Sequence, residues 1–176
     1  SGWQIVDEDG KFQSAVEPWQ QIPDLSTANL IIWKPVFLGA MLFRRSWLEQ
    51  TKGFDPTLEQ TPDVDLVIGL AGGGCPADWV KETTVKYRQH EANASKNTLL
   101  QSQELEQILE RFFARSNLLP EIKALEADSR YQSLVWSAWR LQQTGKLEEM
   151  SDYLNKAGNY SQKYPTEIVL DWIESF

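Results

Sequence analysis

Up to about Lys96 the apolar positions of this chain fall in short runs, alternating or continuous, broken by Gly and Pro; beyond it they recur at helical spacing over long stretches. That change divides the chain into an α/β part, residues 1–97, and an all-α helical bundle, residues 98–176. Trp3 to Val6, followed by Asp7-Glu8-Asp9-Gly10, predicts a strand entering a tight turn in which Gly10 supplies a positive φ. Leu25 to Trp33 predicts a short helix, capped by Asp24 or Ser26 and stopped by Pro35. Met41 to Phe43 reads as a buried strand, and Arg45 to Gln50 as a helix ended by Gly53. Thr61 to Ala71 predicts a helix with Thr61 as N-cap and Pro62 at the first helical position, where its missing N–H costs nothing; Gly72-Gly73-Gly74 stops it. Within Asp78 to Arg88, Val85 and Tyr87 alternate with Thr84, Lys86 and Arg88, the period of a strand or strand pair. Helices and strands interleave, as in an α/β layer.

In the second part, Leu105, Ile108, Leu109, Phe112 and Phe113 fall on one helical stripe. Leu134, Val135, Ala138 and Leu141 form another, Met150, Tyr153, Leu154 and Ala157 a third, and Val169, Trp172, Ile173 and Phe176 a fourth. Leu141, Gly145, Leu147, Ala157 and Pro165 are spaced somewhat like one tetratricopeptide hairpin. A stable array needs at least about three such repeats, so the tail reads as a helical appendage and a candidate surface for protein contacts.

Composition narrows the function classes. The 176 residues, 41% hydrophobic and 11% aromatic, are enough to bury a core. The net charge of -8 comes without a basic run, so nucleic acid would meet repulsion where binding relies on clustered Lys and Arg. Cys75 is the only cysteine, which excludes an internal disulfide and any multi-thiolate site and fits a reducing, cytoplasmic compartment. No apolar stretch approaches the roughly 20 residues that cross a bilayer, because Lys34 interrupts the longest, so no membrane span is expected. The start, SGWQIVDEDGK, has neither a charged n-region nor a signal-like apolar core.

Three runs in the first part point to chemistry: GAMLFRRSWLEQTKGFDPTL (39–58), PDVDL (62–66) and YRQHEANAS (87–95). In this order they resemble the acceptor-side, C-terminal half of a family-2 glycosyltransferase of the GT-A type, over residues 1–97. The resemblance implies a partial GT-A-like α/β layer without the nucleotide-binding half and its Asp-x-Asp metal signature, hence a fragment that is inactive alone. Asp7-Glu8-Asp9 is read as a solvated hairpin turn instead of that signature.

The resemblance assigns roles residue by residue. Asp63 takes the place of the general base that removes the proton from an acceptor hydroxyl. Asp65 is a supporting or capping carboxylate on another side of the helix, Gly39 an acceptor-side position, Arg88 a diphosphate ligand, and His90 a group near the metal. Bland readings stand beside each. Asp63 in a first helical turn complements the dipole by about 0.3–1 kcal/mol, Gly39 permits close packing, Arg88 is an exposed strand residue, and a lone His90 makes no metal site without oxygen ligands from elsewhere. Pro62 stands where the family carries an acid, and Gly69 where many members carry arginine.

The expected function is transfer of a sugar from a nucleotide-sugar donor to a hydroxyl of a carbohydrate or lipid-linked acceptor. A divalent cation, Mn or Mg, belongs to the intact enzyme, and none is expected to bind tightly to this fragment. The alternative is a non-catalytic interaction module on a degenerate transferase scaffold. Most of the eight tryptophans read as core, though Trp136 and Trp139 cannot both face one bundle seam, and Cys75 reads as an inert thiol.

Overall fold

Gly2–Val6 (β1) is the middle strand of a three-stranded sheet in this computed structural model, flanked by Phe12–Val16 (β2) and Thr83–Arg88 (β3). The structure describes every residue except Glu91, Ala92, Gln162, Ser175 and Phe176, and the backbone alone at Pro165, Val169, Trp172 and Glu174. The chain forms two compact units, one of Ser1–Thr57 with Pro62–Lys96, the other of Leu58–Thr61 with Asn97–Phe176.

In the first unit, β1 and β2 form an antiparallel hairpin with Trp3 opposite Val16. Its turn is the expected one: Gly10 has φ 83°, and its N–H donates to the Asp7 carbonyl. The Asp7 carboxylate is consumed by the turn, accepting from the Asp9 and Lys11 N–H groups and from the Gln13 amide. On its other side β1 pairs with β3 in parallel, Ile5 against Tyr87. Parallel pairing requires a long crossover, and here it carries three helices. The first, Thr27–Trp33 (α1), is capped by the Ser26 hydroxyl, which accepts from the Asn29 N–H at 3.3 Å. It ends at Lys34, left-handed with φ 49°, because a residue before proline is disfavoured in the α region. Lys34 folds its ammonium inward onto the Ile32 carbonyl at 2.8 Å, and burial pulls the amine down to about 7.

The second helix, Arg45–Leu48 (α2), is a single turn. The third, Pro62–Gly72 (α3), supplies Leu66, Val67, Ile68, Leu70 and Ala71 to the core, which α1 completes with Leu30 and Ile31. Gly74, at φ 82°, turns the chain away, and the Cys75 N–H closes back on the Leu70 carbonyl.

Met41–Phe43 is not a strand. Both sides of β1 are already occupied, and a lone extended run has no ladder to join; Leu42 stands 99% exposed. Of the Asp78–Arg88 segment only Thr83–Arg88 is strand, and it alternates in burial as the sequence period predicts.

The second unit is helical: Thr98–Phe113 (α4), Pro120–Lys123 (α5), Glu126–Gln143 (α6), Leu147–Gly158 (α7) and Pro165–Glu174 (α8). The first two apolar stripes are buried throughout. Along α6, Ser129, Ser133 and Ser137 repeat at four-residue spacing and are all buried; Ser133 satisfies its hydroxyl on the Ser129 carbonyl at 2.6 Å. Gly145, at φ 75°, turns α6 into α7. Tyr131, Leu134, Ala138, Leu141, Tyr153, Ala157 and Ile168 form one cluster against which Met150 and Leu154 pack.

The fourth stripe departs from expectation at its one described member. Ile173 is 58% exposed instead of buried, and Ile168, which the stripe did not include, is buried; Val169, Trp172 and Phe176 lie outside the described side chains. Trp136 is exposed and Trp139 half-buried, each with its ring centroid 5.8 Å from the Arg140 guanidinium. Among the described residues, no helix is long and apolar enough to cross a membrane.

Candidate functional site

Asp63 stands half-buried in the first turn of α3. Burial pushes its carboxyl above the ordinary aspartate value, against the opposing pull of backbone N–H groups of Val64, of Asp63 itself and of Leu38. The Val64 N–H donates to Oδ1 at 2.9 Å. Leu38 opens the short 3-10 turn Leu38–Ala40, so the fold brings Asp63 to the turn that carries Gly39. Two motif fragments far apart in sequence therefore meet. Asp65, at about 100° per residue, lies on another side of α3.

Gly39 has a steric reason to lack a side chain. A Cβ there would stand 3.2 Å from Cζ of the Phe37 ring. That ring is wedged between sheet residues, its centroid 4.9 Å from Trp3 on β1 and 5.1 Å from Tyr87 on β3.

The same turn borders a cavity of about 460 Å³. Leu30, Val67 and Leu70 are its buried floor, and Trp3, Phe37, Trp47 and Trp79 give it aromatic walls. Trp79 is fixed by its indole N–H, which donates to the Ile22 carbonyl at 2.8 Å. Gly39 lines this cavity; Asp63, Asp65, Arg88 and His90 do not. Val67, one helical turn beyond Asp63, does, which sets the carboxylate beside the cavity and not inside it. Cys75 also lines it, with its thiol pushed up by burial, the opposite of an activated nucleophile.

Arg88 and His90 are placed elsewhere. The Arg88 guanidinium donates to the Glu8 carbonyl, tying the end of β3 to the hairpin turn. His90 is exposed, and its backbone N–H donates to Asn93 Oδ1 at 3.2 Å. Asn93 also donates to the Tyr87 hydroxyl and the Arg88 carbonyl, both at 3.1 Å, and Tyr87 reaches Ser95 at 2.9 Å. The Tyr87–Ser95 run is thus a stapled turn, with Glu91 and Ala92 outside the described residues. Among the described residues no group of three or more His, Cys, Asp and Glu side chains converges to hold a metal ion.

Sequence reasoning missed two residues that the fold uses. Asn93 staples the turn after β3. In the helical unit, Glu104 is buried on α4 and accepts from the N–H groups of Glu59, Gln60 and Thr61 and from the Thr61 hydroxyl at 2.7–2.9 Å. A signal existed for the second: Glu104 falls four residues before Ile108, on the buried stripe of α4.

No family model, curated protein or solved structure matches the chain, and the functional reading rests on its residues and their geometry.

Proposed function

We propose that this chain is the acceptor-side part of a nucleotide-sugar-dependent glycosyltransferase, with Asp63 as its general base. The observation that carries the reading is the meeting of Asp63 with the Leu38–Ala40 turn, together with burial that raises the carboxyl towards a useful basicity. In the reaction the acceptor O–H gives its proton to Asp63 while the oxygen forms a bond to the anomeric carbon of the donor. The bond from that carbon to the diphosphate breaks, and the nucleotide leaves with its electron pair. The donor and any cation are held by groups beyond those described, and the step assigned to this chain is the proton transfer alone.

The test is Asp63→Asn in a polypeptide that carries this chain behind a nucleotide-binding half. Loss of transfer by about a hundredfold or more, with acceptor binding retained, is the expected result; undiminished transfer would sink the assignment. A second reading, an interaction module, draws support from Leu147, Tyr164, Leu170 and Ile173, all more than half exposed on the helical unit. It expects the Asn variant to behave as wild type.

A further inference from the structure

We propose that the cavity beside the Leu38–Ala40 turn holds the apolar body of the acceptor, an aromatic or fused-ring alcohol or glycoside, and presents its hydroxylated end to Asp63. The inference rests on Asp63 as base and names the acceptor class that base serves.

The size sets the scale. At about 460 Å³ the cavity is roughly three times the ~150 Å³ that accommodates a benzene, and it falls within the range of small-molecule sites. Two or three fused rings match that volume.

The lining sets the chemistry. Every buried residue of the lining is apolar: Leu30, Ala40, Val67, Leu70 and Ala71. A free sugar seated on that floor would leave the hydroxyls that face it without partners, at a penalty for each, because the polar side chains of the lining, Ser1, Arg44, Asp78 and Thr84, are all less buried. An anionic diphosphate fares worse, since the exposed rim offers one cation, Arg44, and an opposing anion, Asp78. Flat ring systems, by contrast, find the Trp47, Trp79 and Phe37 side chains on the walls. Polar groups on the occupant must therefore point outward.

Position then links the cavity to the base. Val67 lines the floor and lies one turn from Asp63 along α3; Gly39 lines the cavity and follows Leu38, whose N–H faces the Asp63 carboxylate. A ligand whose rings fill the floor carries its outward hydroxyl past that carboxylate.

The chain has a built-in reporter, because its sole cysteine, Cys75, lines the cavity. The experiment titrates the chain with 2-naphthyl β-D-glucoside and with methyl β-D-glucoside, by calorimetry and by the rate of Cys75 alkylation with iodoacetamide. The naphthyl probe is expected to bind at least about tenfold more tightly than the methyl one, and it alone should slow alkylation. Ala77→Trp, at an exposed lining position, fills the mouth and should weaken the naphthyl probe by about tenfold with the unfolding temperature unchanged.

Equal affinity for the two glucosides, no binding of either, or unprotected Cys75 with the naphthyl probe bound would each overturn the proposal. The Asp63→Asn transfer assay separates the two levels. Loss of transfer without naphthyl preference removes the acceptor class and leaves the base standing. Naphthyl binding with full transfer in the Asn variant removes the base and, with it, the link to the cavity.

Discussion

Glu104 accepts two hydrogen bonds from Thr61, from its backbone N–H and from its hydroxyl, both 2.9 Å long, while only 4% of the glutamate is exposed. Glu59 and Gln60 add their N–H groups, so one carboxylate anchors the Leu58–Thr61 segment within the helical unit. Glu104→Gln keeps the shape but turns an NH₂ towards backbone donors. The expected loss is about 1–3 kcal/mol, read by urea denaturation at neutral pH; an unchanged midpoint would show the anchor to be idle.

The same carboxylate gives the helical unit an acid limit. Burial acts to raise its proton affinity, but the four hydrogen bonds outweigh it and leave Glu104 below its ordinary 4.5. A lowered folded-state value contributes stability that is present above pH 4.5 and lost as pH falls through the lowered value. Wild type should weaken across that acid window, measured as melting temperature against pH, while Glu104→Gln shows a flatter profile.

Asp63 works in the opposite sense. Its raised carboxyl favours folding only below its ordinary 3.8, and that contribution is lost as pH rises through the raised value, so the ionised form is a burden at neutral pH. Asp63→Asn should leave the first unit as stable as wild type or more so at pH 7, with the difference closing in acid. A clear drop in melting temperature at neutral pH would contradict this. Loss of transfer combined with gained stability is the signature of a residue kept for chemistry.

Gly39→Ala drives a methyl group to within 3.2 Å of the Phe37 ring, which Trp3 and Tyr87 hold on either side. The ring must shift, at a cost on the order of 1 kcal/mol, with a changed near-ultraviolet circular dichroism spectrum. An unaltered spectrum and midpoint would mean that the turn yields instead.

On α6, the Tyr131 hydroxyl donates to Asp171 on α8 at 2.9 Å, and Lys163 bonds to the same carboxylate. Tyr131→Phe removes one charge-assisted bond and should cost about 1–2 kcal/mol in chemical denaturation. Hydrogen exchange should quicken first in α8.

Much of this architecture was legible before the structure. The stripes of α4 and α6 were readable because a 3.6-residue period repeated over several turns leaves one solution, and the Asp7–Gly10 turn because only a few residues tolerate positive φ. Met41–Phe43 misled because a short apolar run looks the same whether a neighbour strand exists or not; that depends on the other partners of β1. Ile168 and Ile173 could not be ranked because α8 is short and apolar on several sides. At the candidate site, Asp63 and Gly39 were each visible as motif members. Their meeting through Leu38, and the cavity beside them, belong to the crossover between β1 and β3, which local spacing does not encode.

That crossover also fixes an order of assembly. Trp3 finds Val16 across a short hairpin but finds Val85 only after the whole intervening chain has been made and folded. Closing so long a loop comes late and slowly, whereas the hairpin and the helices of the tail rest on near neighbours in sequence. Until Thr83–Arg88 arrives, a nascent chain exposes the unpaired side of β1, where a foreign strand can add. Its risk of aggregation should therefore be greatest while the ribbon still waits for its third strand.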